Sequence, residues 1–239
     1  MKQISTPSGL YVVPQEIYDR SSDKDIIKAL ENLGEYQPWI DKWAEQYSKP
    51  NTVILDVGAN IGSKILPFSR LHGGKVHVIG FEPVAINQEI LKELVRVNDL
   101  NNVELKKLAL SNSGGEMAIN FPSSDSHLEA VRGQGQFNKI NKGDHGFAIV
   151  EFVKLDDLNI KNISFIKVDI EGHELEFLEG AKETIDRERP AIVLEIFNST
   201  FRNRLSKEDI QKNKECLSLM KSYGYKQIAR KNKDVLFIR

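Results

Sequence analysis

The sequence predicts an α/β protein built on a doubly wound sheet of seven mostly parallel strands, ending in an antiparallel C-terminal hairpin strand. Three observations predict it. Short apolar runs alternate with stretches of helical periodicity along most of the chain, the pattern of successive βα units. The first such run, Val53 to Val57, closes on Gly58 and Gly62, as at the first strand-to-helix turn of a doubly wound sheet. The chain ends in two apolar segments around Lys231-Asn232-Lys233-Asp234, which read as a hairpin.

In order, residues 1–23 read as irregular or as a short hairpin around Leu10 to Val13. Helices follow at 24–33 and 38–47. The second aligns Trp39, Ile40, Trp43, Ala44 and Tyr47 on one face, and Pro38 falls in its first turn, where the missing amide is harmless. Strands are expected at 53–57, 76–81 and 103–108, with a helix at 85–97 that faces Ile86, Ile90, Leu91, Leu94 and Val97 inward. Strands at 115–121 and 147–153 flank a long connection. A strand at 164–169, a helix at 173–186 burying Leu175, Leu178, Ala181 and Ile185, a strand at 191–196 and a helix at 207–222 complete the series before the hairpin. Residues 1–50 form an N-terminal extension packed on the core. Residues 51–239 form the principal domain, with an inserted strand-loop-strand lid at about 115–153.

Composition excludes several classes. With 33 basic and 34 acidic side chains the formal charge is −1, so no global field draws in nucleic acid or an anionic membrane. No apolar run approaches the ~20 residues that span a bilayer. The N-terminus lacks a signal-peptide core. The lone Cys216 cannot close an intrachain disulfide and points to a reducing compartment, so a cytoplasmic location is expected.

Chemistry starts at Asp56-Val57-Gly58-Ala59-Asn60-Ile61-Gly62. The helix expected after it would offer unpaired amides. A dinucleotide site needs Gly-x-Gly-x-x-Gly to admit a pyrophosphate, whereas here an acid precedes the first glycine by two residues and points to the pocket mouth. A carboxylate repels phosphate and suits a cation, and S-adenosylmethionine carries an ammonium and a sulfonium. About 25 residues on, the second strand ends in Glu82, the spacing at which an acid takes ribose hydroxyls. Strand ends are where ligands bind in open α/β sheets, which adds Ala109 to Ser111, Asp169 and Glu195.

A second segment runs from Phe165 to Glu174. Strand alternation puts Phe165, Lys167 and Asp169 on one face, with Asp169 at the strand end and Lys167 available to neutralise it. Glu171 and Glu174 bracket Gly172 as the chain enters a helix. Acids there stabilise a helix N-terminus by about 0.3–1 kcal/mol each, which accounts for Glu174.

These segments together resemble the FkbM family of S-adenosylmethionine-dependent methyltransferases. The matching pieces are ILDVGANIG at 54–62, IGFEP at 79–83, NVELKKLALSN at 102–112, VKLDDL at 153–158, FIKVDIEGHELEFLEGA at 165–181, RPAIVLEI at 189–196 and DVLFIR at 234–239. The resemblance covers roughly residues 34–239. It implies the class I methyltransferase (Rossmann-like) fold and methyl transfer to a hydroxyl of a sugar, glycan or small metabolite. It further implies that Asp56, Gly58, Asn60 and Gly62 cradle the methionine part of the cofactor and that Glu82 holds the ribose. By the same resemblance Ala109, Leu110 and Ser111 lie against the adenine, and the segment from Asp169 to Glu174 faces the reacting centre. Where the family often carries a glycine- and serine-rich stretch, this chain has residues 123–146, with His127, Arg132 and His145. Their content suggests an acceptor lid in which Arg132 forks onto a carboxylate or phosphate. Gln37 stands where an acid is expected.

The expected catalytic set is Asp169, Glu171, His173 and Glu195. His173 suits a general base because its unperturbed pKa lies near neutrality, and Asp169 can do the same or orient the acceptor. A second route uses Mg²⁺ on Asp169, Glu195 and Asn198, an oxygen-ligand set at the ends of neighbouring strands. The contiguous acids around Gly172 and His173 favour the metal-free route. Two alternatives remain beside O-methylation. An N-methyltransferase of RNA or protein calls for a basic aromatic surface or an Asn/Asp-Pro-Pro-aromatic segment, and the chain has neither. A non-catalytic cofactor-binding module would not need Asp56, Glu82 and Asp169 together.

Overall fold

The computed structural model describes residues 2–15, 24–121, 129–130, 146–197 and 206–239. The lid residues His127, Arg132 and His145, and Asn198 of the metal set, lie outside the described residues.

The chain opens with an antiparallel hairpin, β1 (Lys2–Thr6) and β2 (Gly9–Val13), followed by α1 (Lys24–Leu33) and α2 (Pro38–Tyr47). Next come β3 (Val53–Val57), α3 (Ile65–Arg70), β4 (His77–Phe81), α4 (Ala85–Val97) and β5 (Val103–Lys106). The short β6 (Ala109–Leu110), β7 (Gly115–Phe121), β8 (Glu129–Ala130) and β9 (Gly146–Val153) come next and form a second sheet. The chain closes with β10 (Ile163–Val168), α5 (Glu174–Gly180), α6 (Lys182–Glu188), β11 (Ala191–Glu195), α7 (Lys207–Ser222), β12 (Lys226–Lys231) and β13 (Asp234–Ile238).

The main sheet has seven strands in the order β12-β13-β11-β10-β3-β4-β5. β5, β4, β3, β10 and β11 are mutually parallel, and β13 runs antiparallel between β11 and β12. Strand number and direction agree with the sequence reading. The central strands could be read because both faces are covered, so they are nearly continuous apolar runs. Ile54, Leu55, Phe165, Ile166, Ile192 and Leu194 are fully buried. Each such side chain contributes about 1.5–3 kcal/mol of transfer free energy. On one face α1, α2, α3, α4 and the β1-β2 hairpin share a core with Ile54, Val78 and Val193. On the other, α5, α6 and α7 pack on Leu55, Ile166 and Ile192.

Three details differ from expectation. The third strand ends at Lys106, and Ala109–Leu110 leaves the main sheet to pair with β9 in a four-stranded sheet of order β6-β9-β7-β8. The helix expected at 173–186 is two helices. Gly180 lies so close to the preceding layer that a Cβ there would stand 1.9 Å from the Ser111 carbonyl oxygen, and Ala181 leaves helical geometry at φ −114, ψ 5. The helix after the first glycine turn is only six residues long and starts beyond Gly62.

Candidate active site

Parallel register brings the carboxyl ends of β3, β4, β10 and β11 together, and the antiparallel β13 begins beside the end of β11. Lys167 pairs in register with Asp56, and Asp234 with Glu195.

Asp56 does not point to the pocket mouth. It is 0% exposed, and its carboxylate lies 3.2 Å from Lys167 Nζ at an angle that falls short of a hydrogen bond. Lys167 therefore pairs directly with Asp56 while also lying in the field of Asp169, and it donates to the Gly58 carbonyl at 3.0 Å. Burial raises the Asp56 pKa and Lys167 opposes the rise. Burial works against the Lys167 ammonium, but Asp56 and Asp169 outweigh it and hold it above the ordinary lysine value.

The two glycines are required by the protein's own packing. A Cβ on Gly58 (φ +83) would stand 1.9 Å from the Asp169 carbonyl oxygen, and one on Gly62 (φ +88) 2.3 Å from a Leu94 methyl. The loop amides are also committed. Those of Gly58 and Ala59 bond the Phe81 carbonyl, that of Gly62 bonds Ala59, and that of Asn60 (φ 48) donates to Glu82 Oε2 at 2.9 Å. These four amides precede α3, the helix expected to offer unpaired amides, and are not part of its N-terminus.

Glu82, at the end of β4, is the hub of this half of the site. Its carboxylate accepts from Asn60, from the Val84 amide at 3.0 Å and from Asn87 at 3.4 Å. Burial pushes its pKa up to about 7, the amide bonds opposing the rise. Each carboxylate oxygen can accept more than one hydrogen bond, so capacity remains for ribose hydroxyls.

Leu110 and Ser111 are buried against β9, with the Ser111 amide bonded to the Val153 carbonyl. Ser111 Oγ meets His173 Nε2 at 2.9 Å, while His173 Nδ1 lies 3.7 Å from Glu176 and the ring packs edge-on to Phe152. The fold thus brings His173 to the end of β6 and to α5.

The turn after β10 carries the acids. The Asp169 amide bonds the Val57 carbonyl at 3.1 Å and its side chain is half-buried. Glu171 (φ 54) and Gly172 (φ 92) are both left-handed, and Glu174 closes the turn by accepting the amides of Ile170 at 3.1 Å and Gly172 at 3.3 Å. Glu174 is thus a turn-closing residue. Burial, then Asp169, push Glu171 up to about 7, and burial pushes Glu174 up to about 7. Glu195, 2% exposed, is raised well above the ordinary value by burial and then by Asp169.

Four contributors went unread. Lys233, in the terminal hairpin turn, forms an ion pair with Glu195 and lies 5.6 Å from the Phe197 ring centroid. Asp234 is bonded by Trp39 from α2. Lys64, 1% exposed, forks onto Asp41 at 2.8 and 2.9 Å and donates to the carbonyls of Tyr36 and Gln37, so the extension is clamped to the first glycine loop. Burial raises the Tyr36 phenol, and the field of Asp169 adds to the rise. The one available signal was a lysine two residues after Gly62. A lysine in a hairpin turn gives none.

Among the described residues no group of three or more His, Cys, Asp or Glu is arranged to hold a metal ion. Lys233 already sets a positive charge against Glu195, which a cation at Asp169 and Glu195 would have to displace. No helix among the described residues is long and apolar enough to cross a membrane.

A sheet of this order, with an antiparallel penultimate strand and acids at the ends of β3, β4 and β10, is the class I methyltransferase fold. The chain belongs to the FkbM methyltransferase family: the model of the Methyltransferase FkbM domain matches residues 56–226. It is 27% identical over 153 residues to the 2-O-methyltransferase NoeI of Sinorhizobium fredii, covering 59% of this chain and 62% of that one. It is 29% identical over 138 residues to the hexuronic acid methyltransferase AglP of Haloferax volcanii, covering 56% and 51%. These matches span about half to three fifths of the relatives' length. The crystal structure of an FkbM methyltransferase from Methylobacillus flagellatus shares the fold, with TM-score 0.55 and 16% identity over 94% of this chain and 57% of that one.

Proposed function

We propose that this protein is an S-adenosylmethionine-dependent methyltransferase that methylates a hydroxyl of a sugar, glycan or small metabolite. The observation that carries the reading is the gathering of Asp56, Glu82 and Asp169 at the carboxyl ends of three adjacent parallel strands in a chain of this family. The names of NoeI, a 2-O-methyltransferase, and AglP, a hexuronic acid methyltransferase, support a hydroxyl on a sugar-type acceptor.

The residues fit the cofactor. Asp56 has two buried oxygens that accept no hydrogen bond, and Glu82 retains acceptor capacity. When bound, S-adenosylmethionine supplies a methyl group on a sulfonium. The chain's part is to hold the acceptor oxygen in line and to take up its proton, and positioning alone can supply much of the barrier reduction. Asp169 suits proton uptake because it is half-buried at the strand end, while both nitrogens of His173 face protein partners. The alternatives, an N-methyltransferase and a non-catalytic binder, are separated by the same experiment. Calorimetry with S-adenosylmethionine, S-adenosylhomocysteine and NAD should give binding of the first two only. Mass spectrometry across glycans and metabolites should then reveal a methylene increment on oxygen. Micromolar NAD binding without S-adenosylmethionine binding would sink the reading.

A further inference from the structure

Lys233 reads in the sequence as one of several polar residues of a hairpin turn, the kind of side chain that is normally solvated. The fold puts it elsewhere. Because β13 runs antiparallel to β11, the turn before β13 lies beside the carboxyl end of β11, and the Lys233 carbonyl accepts the Ile196 amide at 2.7 Å. Its ammonium contacts the Glu195 carboxylate near the Phe197 ring.

Exposure separates the charged groups. The Glu195 side chain is 1% exposed and that of Lys233 27%. The other lysine at these strand ends, Lys167, is 7% exposed and is engaged by Asp56 and the Gly58 carbonyl. At the ends of β10 and β11 the partly exposed side chains are therefore those of Lys233, Asp169 and Glu171, with Glu195 buried behind Lys233.

We propose that Lys233 receives the methyl acceptor, donating hydrogen bonds to the hydroxyl oxygens of a neutral, sugar-like polyol, and that Glu195 is the positioning residue that aims it. This rests on the methyl-transfer reading. Local charge selects a neutral partner. Glu195 already occupies the Lys233 ammonium with Asp169 and Glu171 close by, so an anion would have to displace a carboxylate to reach it. A diol can donate to the carboxylates and accept from the ammonium at once.

The test uses the full chain loaded with S-adenosylhomocysteine. The probes are methyl glycosides of neutral hexoses and the matching uronates, read by saturation-transfer NMR and calorimetry. Lys233→Met should weaken the neutral glycoside about tenfold or more, the loss expected for one charged hydrogen bond, with S-adenosylhomocysteine affinity unchanged. Since Lys233→Met strands a buried carboxylate, Lys233→Met combined with Glu195→Gln guards against misfolding. Lys233→Cys alkylated with 2-bromoethylamine, which rebuilds an ammonium of near-lysine reach, should recover binding. The same cysteine capped with iodoacetamide should not. Alkylation is confined to position 233 because Cys216 is 3% exposed and burial pushes its thiol up to about 12. Failure of the wild type to bind S-adenosylhomocysteine would overturn the parent reading. Intact S-adenosylhomocysteine binding overturns this inference alone if glycoside affinity ignores residue 233, if the uronate is preferred, or if no glycoside binds.

Discussion

Trp39 Nε1 donates to Asp234 Oδ2 at 2.8 Å, joining the N-terminal extension to the C-terminal hairpin turn across 195 residues of chain. The bond fixes Asp234, and with it the adjacent Lys233, above the acids of β10 and β11.

Trp39→Phe should therefore cost stability and acceptor handling together. Leaving a largely buried carboxylate without its donor costs about 1–3 kcal/mol. Urea unfolding measures the first effect. Turnover that falls while S-adenosylhomocysteine affinity holds measures the second. Unchanged turnover would separate the extension from the acceptor site.

Glu82→Ala should damage both the fold and cofactor binding, because the carboxylate is bonded to Asn60 and Val84 besides facing the expected ribose. A loss of a few kcal/mol in S-adenosylmethionine affinity is expected from two charged hydrogen bonds. Calorimetry alongside a melting curve apportions it, and affinity that survives the substitution would remove Glu82 from the cofactor site.

Stability should fall as pH rises through the window from about 4.5 to 7. Burial is the largest cause of raised pKa values at Glu82, Glu171 and Glu174, up to about 7, and at Asp41 and Asp234, up to about 6. Below the unfolded values both states hold these protons. Between the unfolded and folded values only the native state holds them, and each such proton costs roughly 1.4 kcal/mol of stability per pH unit. Calorimetric melting of the ligand-free protein should show the decline, and Glu82→Gln should flatten it. A midpoint climbing steadily from pH 5 to 7 would contradict the buried, protonated acids.

Asp169→Asn should depress turnover by about 10²–10⁴-fold, the range of a positioned acid–base group, with little change in cofactor affinity. His173→Ala should act chiefly on stability, since its ring is held by Ser111, Glu176 and Phe152. Chelator should leave the reaction running. Arrest by chelator and recovery with Mg²⁺ would instead assign Asp169 and Glu195 to a metal.

The fold was legible because its rules are local. Strands covered on both faces become apolar runs, and the helices at 24–33, 38–47, 85–97 and 207–222 keep one apolar face each. The strand-end acids were legible for the same reason. What stayed hidden was partnership across strands. That Lys167 answers Asp56 depends on the register of β10 against β3, and that Lys233 answers Glu195 depends on where an antiparallel strand inserts. Neither leaves a trace in spacing. The Ser111 partner of His173 stayed hidden too, because a histidine beside acids reads the same whether it faces a ligand or a serine.

The contact between Gly58 and the Asp169 carbonyl carries a consequence for how such an enzyme can be altered. The loop at the end of β3 and the acidic turn at the end of β10 meet backbone to backbone, with only the Ile170 side chain beside the contact. Neither can drift without the other. Acceptor preference on this scaffold is therefore not retunable by reshaping the acidic turn. Laboratory evolution toward a new acceptor should collect its substitutions in the insertion, the hairpin turn and the extension, and leave this joint unchanged.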